Sequence, residues 1–406
     1  MRLNASQYNQ HWQDKTLNEL GDFQRGKSRH RPRNDVALFS GGKHPLIQTG
    51  EIKEANLYIT AHSAAYNDFG LAQSKLWPKN TLCITIAANI AETALLGYPM
   101  CFPDSVVGFN AEPEKSSELF MHYVFTYIRR AIQNSATGSI QDNINIEYLT
   151  GLKLKIPVKS YQDKIAAILF ALDAKIECNN RINVELEAMV KTLYDYWFVQ
   201  FDFPDANGKP YKSSGGKMAY NATLKREIPV GWRDGTIGNL ISLEYGKGLK
   251  AENRTGSGHP VIGSNGVVGY HSEYLVEGPG IVVGRKGTVG AITFIHTDFF
   301  PIDTTYYVKP ISKIGFLYLK YLLSSLGLEK MNSDSAVPGL NREVALRINT
   351  VLPPTTLIQD FERRTAAVFS KLHILVQENQ QLAQLRDWLL PLLMNGQVTV
   401  AGRRPA

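Results

Sequence analysis

Two stretches of the chain, residues 160–198 and 356–394, carry apolar side chains in steps that alternate four and three. The first seam runs Ile165, Leu169, Leu172, Ile176, Asn179, Asn183, Leu186, Val190, Leu193, Trp197. The second runs Phe361, Thr365, Val368, Leu372, Leu375, Asn379, Leu382, Arg386, Leu389, Leu393. This is the heptad spacing of a helix that buries one stripe against a partner helix. At 1.5 Å per residue each helix would be roughly 58 Å long. Ile156-Pro157 and Leu352-Pro353 stand just before them as start signals. Such helices need a partner, and each is the natural partner of the other. The expected interface is Ile165, Leu172, Ile176, Asn183, Leu186 and Leu193 against Val368, Leu372, Asn379, Leu382 and Leu389. Asn183 and Asn379 are expected to face each other, because a seam asparagine fixes register by meeting another polar group.

The likeness extends beyond the helices. Residues 139–197 match 335–393 at a constant offset: Ser139 with Ser335, Asn145 with Asn341, Glu147 with Glu343, Pro157 with Pro353, Leu186 with Leu382. Upstream of each helix lies a stretch with short apolar runs and glycine turns. In the first, PLIQTGEI, TLCITIAAN and DSVVGFN read as strands and ELFMHYVFTYIRRAI as a helix. In the second, PVIGSNGVVGYH, GIVVGRKGTVGAITFI and TTYYVKP read as strands and GFLYLKYLLSSL as a helix. Phe102-Pro103 and Phe300-Pro301 recur, as do Arg25-Gly26-Lys27 and Tyr245-Gly246-Lys247. A repeat of this period decides architecture before any single motif does.

The predicted fold class is α+β (mixed α/β): two globular domains joined by two long antiparallel coiled-coil helices, with an internal pseudo-twofold repeat. The expected boundaries are 1–158 for the first domain, 159–200 for the first helix, 201–232 for a linker, 233–354 for the second domain, 355–396 for the second helix and 397–406 for a tail. Residues 201–232 are rich in Gly, Ser, Pro and Lys and read as a connector. Antiparallel packing keeps that connector short and would set the globules at opposite ends of the pair.

Composition narrows the function. At 406 residues the chain exceeds one comfortable core. A net charge of +7 suits an anionic partner. The three cysteines, Cys83, Cys101 and Cys178, have no metal or redox spacing. The polar start excludes a signal peptide, and no apolar run approaches the ~20 residues of a membrane span. A cytoplasmic protein without a membrane partner is expected.

Gly21–Ser28 satisfies the phosphate-loop pattern GxxxxGK[ST] literally. Such a loop should follow a strand and open a helix, whereas Pro32 and dense charge oppose helix initiation at Ser28. The second copy keeps Gly246-Lys247 without the spacing. The stretch fits a nucleic-acid surface better: Arg25, Lys27, Arg29, His30, Arg31 and Arg33, with Lys43 beyond them, present donors suited to phosphate and guanine. Lys247, Lys250 and Arg254 occupy the matching place. Turns at Gln48-Thr49-Gly50 and Ser264-Asn265-Gly266, and the loop Gly284–Gly290 with Arg285 and Lys286 at its tip, would let backbone approach a groove. No catalytic constellation or metal-ligand cluster stands out, so neither is expected. A nucleotide-driven DNA enzyme using the 21–28 loop, and a coiled-coil scaffold without DNA affinity, are the alternatives.

The order globule, helix, globule, helix resembles the DNA-specificity (S) subunit of type I restriction-modification systems. Arg25–Asp35, Gly41–Pro45 and Ile47–Gly50 look like one class of target-recognition domain. Tyr245–Leu249, Ser264-Asn265-Gly266 and Gly284–Gly290 look like another. Trp197-Phe198, the FDFPDANGKPYKSSGGKM stretch and Leu385–Pro391 are also similar. The resemblance implies that each domain reads one half of a bipartite, asymmetric site on double-stranded DNA, with the helices as a ruler. It implies two methyltransferase subunits that bind S-adenosylmethionine, further motor-nuclease restriction subunits, and no chemistry on this chain itself. Arg386 departs from the pattern, since Val190 continues the first seam at the matching position.

Overall fold

The computed structural model describes residues 12–136, 146–311, 314–331, 339–398 and 400. Ser139, Asn145 and Ser335 of the repeat, and residues 401–406 of the expected tail, lie outside them. The chain divides into two compact units: residues to 181 with those from 376 onward, and residues 182–375.

In the first unit the strands are β1 (Trp12–Lys15), β2 (Gly21–Arg25), β3 (His44–Leu46), β4 (Tyr58–Ile59), β5 (Ala64–Tyr66), β6 (Leu82–Thr85), β7 (Thr93–Leu96), β8 (Val106–Ala111) and β9 (Leu154–Pro157). The helices are α1 (Leu17–Leu20), α2 (Thr49–Glu54), α3 (Asp68–Ala72), α4 (Glu118–Ala136), α5 (Ile146–Gly151) and α6 (Lys159–Tyr194), which runs on into the second unit. A five-stranded sheet has the order β2-β8-β6-β7-β4, beside the pairs β3-β5 and β1-β9. The interior strands β6 and β7 are buried along their whole length, Thr85 and Thr93 included. The helix α4 lays Phe120, Met121, Val124 and Phe125 into the same core.

The second unit repeats that plan. Its strands are β10 (Met218–Asn221), β11 (Arg226–Pro229), β12 (Arg233–Thr236), β13 (Ile241–Tyr245), β14 (His259–Gly263), β15 (Gly266–His271), β16 (Gly280–Gly284), β17 (Ile292–Ile295), β18 (Phe300–Pro301), β19 (Thr305–Pro310) and β20 (Asn349–Leu352). Its helices are α7 (Phe316–Ser325), α8 (Arg342–Leu346) and α9 (Thr355–Met394), which returns to the first unit. The sheet β13-β19-β16-β17 matches β2-β8-β6-β7, and the pair β12-β20 matches β1-β9. Close packing explains the shared glycine after β2 and β13. A Cβ on Gly26 would lie 2.3 Å from the Pro103 carbonyl oxygen, and one on Gly246 would lie 2.1 Å from that of Ile302. The Gly-Lys landmarks make one equivalent contact in both units, but the counterpart of Phe102-Pro103 is Pro301-Ile302, so the Phe300-Pro301 likeness is out of register by one residue.

Within each unit the long helices run antiparallel. In the first, Asp173 bonds Arg386 and Asn179 bonds Asn379, so one number rises as the other falls. In the second, Trp197 meets Phe361 with ring centroids 5.9 Å apart, while Val190 and Val368 share a core further along. Of the expected interface residues, Ile165 and Leu372 are buried, and Leu172, Ile176, Leu186, Leu193, Val368, Leu382 and Leu389 are half-buried.

Four expectations need correction. Asn379 pairs with Asn179 and Asn180 rather than with Asn183. The repeat makes Asn183 and Asn379 equivalent, and in an antiparallel pair equivalent positions are opposite only at the midpoint. The segment 201–232 is a folded part of the second unit, not a bare connector. Phe203 stacks on Trp232 at 5.3 Å, Asp202 accepts from the Ser213 backbone at 2.7 Å, and β10 pairs with β11. The first long helix, α6, ends at Tyr194 in a π-turn, Asp195–Val199, and Trp197 and Phe198 on that turn are buried in the core. The start of the expected tail is docked: the Val400 backbone N–H donates to the Tyr161 hydroxyl at 2.9 Å.

Candidate nucleic-acid interface

The phosphate-loop reading of residues 21–28 fails on backbone grounds. Gly21–Arg25 is strand β2, paired residue by residue with Val107–Ala111, so the backbone is extended there and does not wrap into a phosphate cradle. Ser28 is buried and no helix opens at it, the next helical turn being Val36–Leu38. The loop that does follow is tied down at several points. Gln73 Oε1 accepts from the backbone N–H of Arg29 at 2.6 Å and of His30 at 3.1 Å. The Ser74 hydroxyl donates to the Lys27 carbonyl oxygen at 2.9 Å. His30 Nε2 lies 2.7 Å from Asp35. The carboxyl of Asp35 is held below its usual range, first by the Ala37 backbone N–H and then by His30.

These ties sort the expected cations. Arg33 Nη2 donates to both Asp104 oxygens, at 2.7 and 3.0 Å, and Arg31 lies 3.9 Å from the same carboxylate. Arg25, Lys27, Arg29 and Lys43 are exposed and make no ion pair among the described residues. Gln48-Thr49-Gly50 is not a turn: Gln48 caps α2, and its backbone N–H donates to Glu51 at 3.1 Å. Gln48 is exposed, but it presents a helix start rather than a bare loop.

In the second unit three loops converge at one end of the sheet. A Cβ on Gly287 would stand 3.1 Å from Ser264 Oγ, so the 284–290 loop and the 264–266 turn touch. Gly287 has φ +76°, a left-handed conformation that favours glycine. Tyr245 and Tyr306 are cross-strand partners with ring centroids 5.1 Å apart. The Arg285 guanidinium lies 4.9 Å from the Tyr245 ring centre and 5.9 Å from that of Tyr306, and its Nη1 donates to the Asp303 carbonyl oxygen at 3.0 Å. Arg342 stacks on Tyr245 at 5.4 Å. Lys247, Asn265 and Lys286 are exposed beside this cluster, and Lys250 pairs loosely with Glu252 at 3.7 Å. Arg254 turns inward instead: Nη1 donates to the Val268 carbonyl at 2.7 Å and Nη2 to that of Leu249 at 3.3 Å. It staples its loop to the β14–β15 hairpin.

The residues missed from sequence are Tyr245, Arg342 and the half-exposed Tyr270 and Tyr274. Tyrosine beside exposed cations offers flat faces and hydroxyls to bases and sugars. Tyr245 was visible within its Tyr-Gly-Lys landmark; the stacking of Arg342 on it depends on a chain return some hundred residues later, which no local pattern carries.

The two units place charge differently on one frame. Ile84 and Val283 occupy matching positions in β6 and β16, each pairing with the equivalent neighbour strand. Counting on, Arg285 and Lys286 correspond to Ile86 and Ala87, of which Ile86 is buried. The first unit carries its cations on the loop after β2; the second adds them on the loop after β16. Among the described residues no group of three or more His, Cys, Asp or Glu side chains could hold a metal ion, and no helix is long and apolar enough to cross a membrane.

Comparison with known proteins gives the same answer as the architecture. The family described as the type I restriction modification DNA specificity domain matches residues 9–188 and 229–371. The chain is 25% identical over 348 residues to the type I restriction enzyme HindI specificity subunit of Haemophilus influenzae, covering 66% of this chain and 74% of that one. It is 20% identical over 420 residues to the MjaIX specificity subunit of Methanocaldococcus jannaschii, covering 96% and 94%. Its fold is that of the type I restriction-modification S subunit from M. genitalium, with a TM-score of 0.58 at 21% identity, covering 96% of this chain and 98% of that one. With the match spanning both halves of the repeat, the chain belongs to the type I restriction modification DNA specificity family.

Proposed function

We propose that this chain is the sequence-reading subunit of a type I restriction-modification assembly. Each unit reads one half of a bipartite, asymmetric site on double-stranded DNA. The length of the joining helices sets the spacing between the halves. Two methyltransferase subunits, carrying S-adenosylmethionine, dock on the chain, and motor-nuclease subunits join for restriction. The chain itself binds and positions and carries out no chemistry. The observation that supports this best is the shared frame with unlike loops. A symmetric target would need like loops, whereas Arg25–Arg33 in one unit and Tyr245, Arg285 and Lys286 in the other offer different donor sets to a groove.

Duplex binding by the full chain with its methyltransferase partner, measured from about 50 to 200 mM salt, tests the reading. Several phosphate contacts predict a fall in affinity of roughly a thousandfold or more across that range. Affinity that stays flat would reduce the chain to a scaffold.

A further inference from the structure

Arg285 is built differently from the other cations of the second unit. Lys247 and Lys286 are exposed flexible amines, suited to phosphate as point charges. Arg285 is half-buried, with its guanidinium against Tyr245 and Tyr306 and one Nη1–H fixed on the Asp303 carbonyl. Its own backbone is pinned as well. Its N–H donates to the Thr304 carbonyl at 2.9 Å, and its carbonyl accepts from the Leu340 N–H at 2.9 Å. The plane and direction of the fork are therefore set before any ligand arrives, which lowers the ordering cost of a two-point contact.

The repeat shows that the frame does not need a guanidinium there. The matching position in the first unit is Ile86, which is buried and apolar. Arg285 stands against Tyr245, which leads into the Gly246-Lys247 loop, and two residues before Gly287, which meets the 264–266 turn, among the groups offered to DNA. A pre-aimed planar fork with donors to spare matches one base edge above the others: guanine, whose O6 and N7 both accept in the major groove.

We propose that Arg285 is a base-reading residue of the second unit and that it reads a guanine in that unit's half-site. This rests on the second unit being a DNA reader. The test is the affinity and sequence preference of duplexes retained from a randomised pool by the full chain with its methyltransferase partner, for the wild type, Arg285→Lys, Arg285→Ala, Lys247→Ala and Lys286→Ala. Wild type should require guanine at one position of one half-site. Arg285→Ala and Arg285→Lys should relax that position alone, with discrimination falling about 10- to 100-fold, because lysine keeps the charge and loses the fork. The other half-site should be unchanged, which shows that the assembly is intact. Lys286→Ala should weaken all sequences alike. If both Arg285 variants keep the wild-type preference while Lys286→Ala weakens binding, the guanine inference falls and the DNA reading stands. If both Arg285 variants lose all binding, Arg285 is a structural clamp and the inference also falls. If Lys247→Ala, Lys286→Ala and both Arg285 variants all leave affinity and preference untouched, this face is not a DNA interface, and both readings fall.

Discussion

Arg386 Nη1 donates to Asp173 Oδ1 at 2.8 Å, and the other oxygen of that carboxylate accepts from the Tyr123 hydroxyl at 2.6 Å. The ion pair joins α9 to α6, and the tyrosine adds α4, so the first unit's sheet-covering helix is keyed to both long helices. The matching positions in the second unit are Val190 and Phe369, both within an apolar core. The arginine that interrupts the second seam is thus half of a charged pair that the first unit uses where the second uses hydrocarbon. With only 13% of the Asp173 side chain exposed, removing the arginine strands a largely buried charge. Arg386→Ala should destabilise the first unit by about 2–3 kcal/mol in urea unfolding. Replacing all three members, Asp173→Leu, Arg386→Val and Tyr123→Phe, should recover most of it. A single variant within about 0.5 kcal/mol of wild type would contradict this account.

The asparagine contact makes a similar prediction with a different sign pattern. Asn179 Nδ2 donates to Asn379 Oδ1 at 2.9 Å, and Asn379 Nδ2 donates to Asn180 at 2.8 Å. Asn379→Ala should lower stability by about 1–2 kcal/mol, whereas Asn179→Leu with Asn379→Leu should be near neutral. Leu375, buried in the other unit at the place matching Asn179, shows that leucine suits this seam. Additive losses in the double variant would argue against a direct pair.

Acid should act on the first unit through His122. Burial pushes its imidazole down to about 3, with Arg129 and Arg386 adding to the effect. An unfolded histidine takes up its proton near pH 6.5, and the folded one refuses it until about 3. The unfolded state therefore binds more protons between those values. The stability is complete above pH 6.5 and declines as pH falls, by about 1.4 kcal/mol per unit at most from this group. His122→Asn should flatten that slope, read from urea midpoints between pH 4 and 7; an unchanged slope would remove His122 as its source.

Lys27 should behave as a phosphate contact and not as a nucleotide-binding lysine. Lys27→Ala should weaken duplex binding evenly across sequences and reduce the salt slope by about one. ATP affinity of the chain, measured by calorimetry, should be negligible before and after the change. Measurable ATP binding lost in the variant would revive the phosphate-loop reading, against the strand that Gly21–Arg25 forms.

Much of the architecture was legible because it is periodic. The heptad seams locate α6 and α9, and the repeat marks Gly26 and Gly246 as equivalent positions, though not the contacts that make them so. What escaped was whatever depends on a distant partner. Matching by offset reveals equivalent positions, so it chose Asn183 where the facing residue is Asn179. Arg33 and Arg254 look like free cations until Asp104, 71 residues away, and the Val268 carbonyl are seen beside them. Gln48 is an uncommon helix cap, and only its partner Glu51 turns an expected strand-and-turn into a helix start. The segment 201–232 has linker composition, yet Phe203 and Trp232 anchor it.

The most direct measurement is a map of methylated bases in DNA from cells expressing this chain with its methyltransferase partner and no other methyltransferase. Two unlike readers on one frame predict methylation at a sequence with two different specified segments separated by a fixed, unspecified spacer. Methylation confined to one uninterrupted sequence, or to a perfect palindrome, would contradict the central claim.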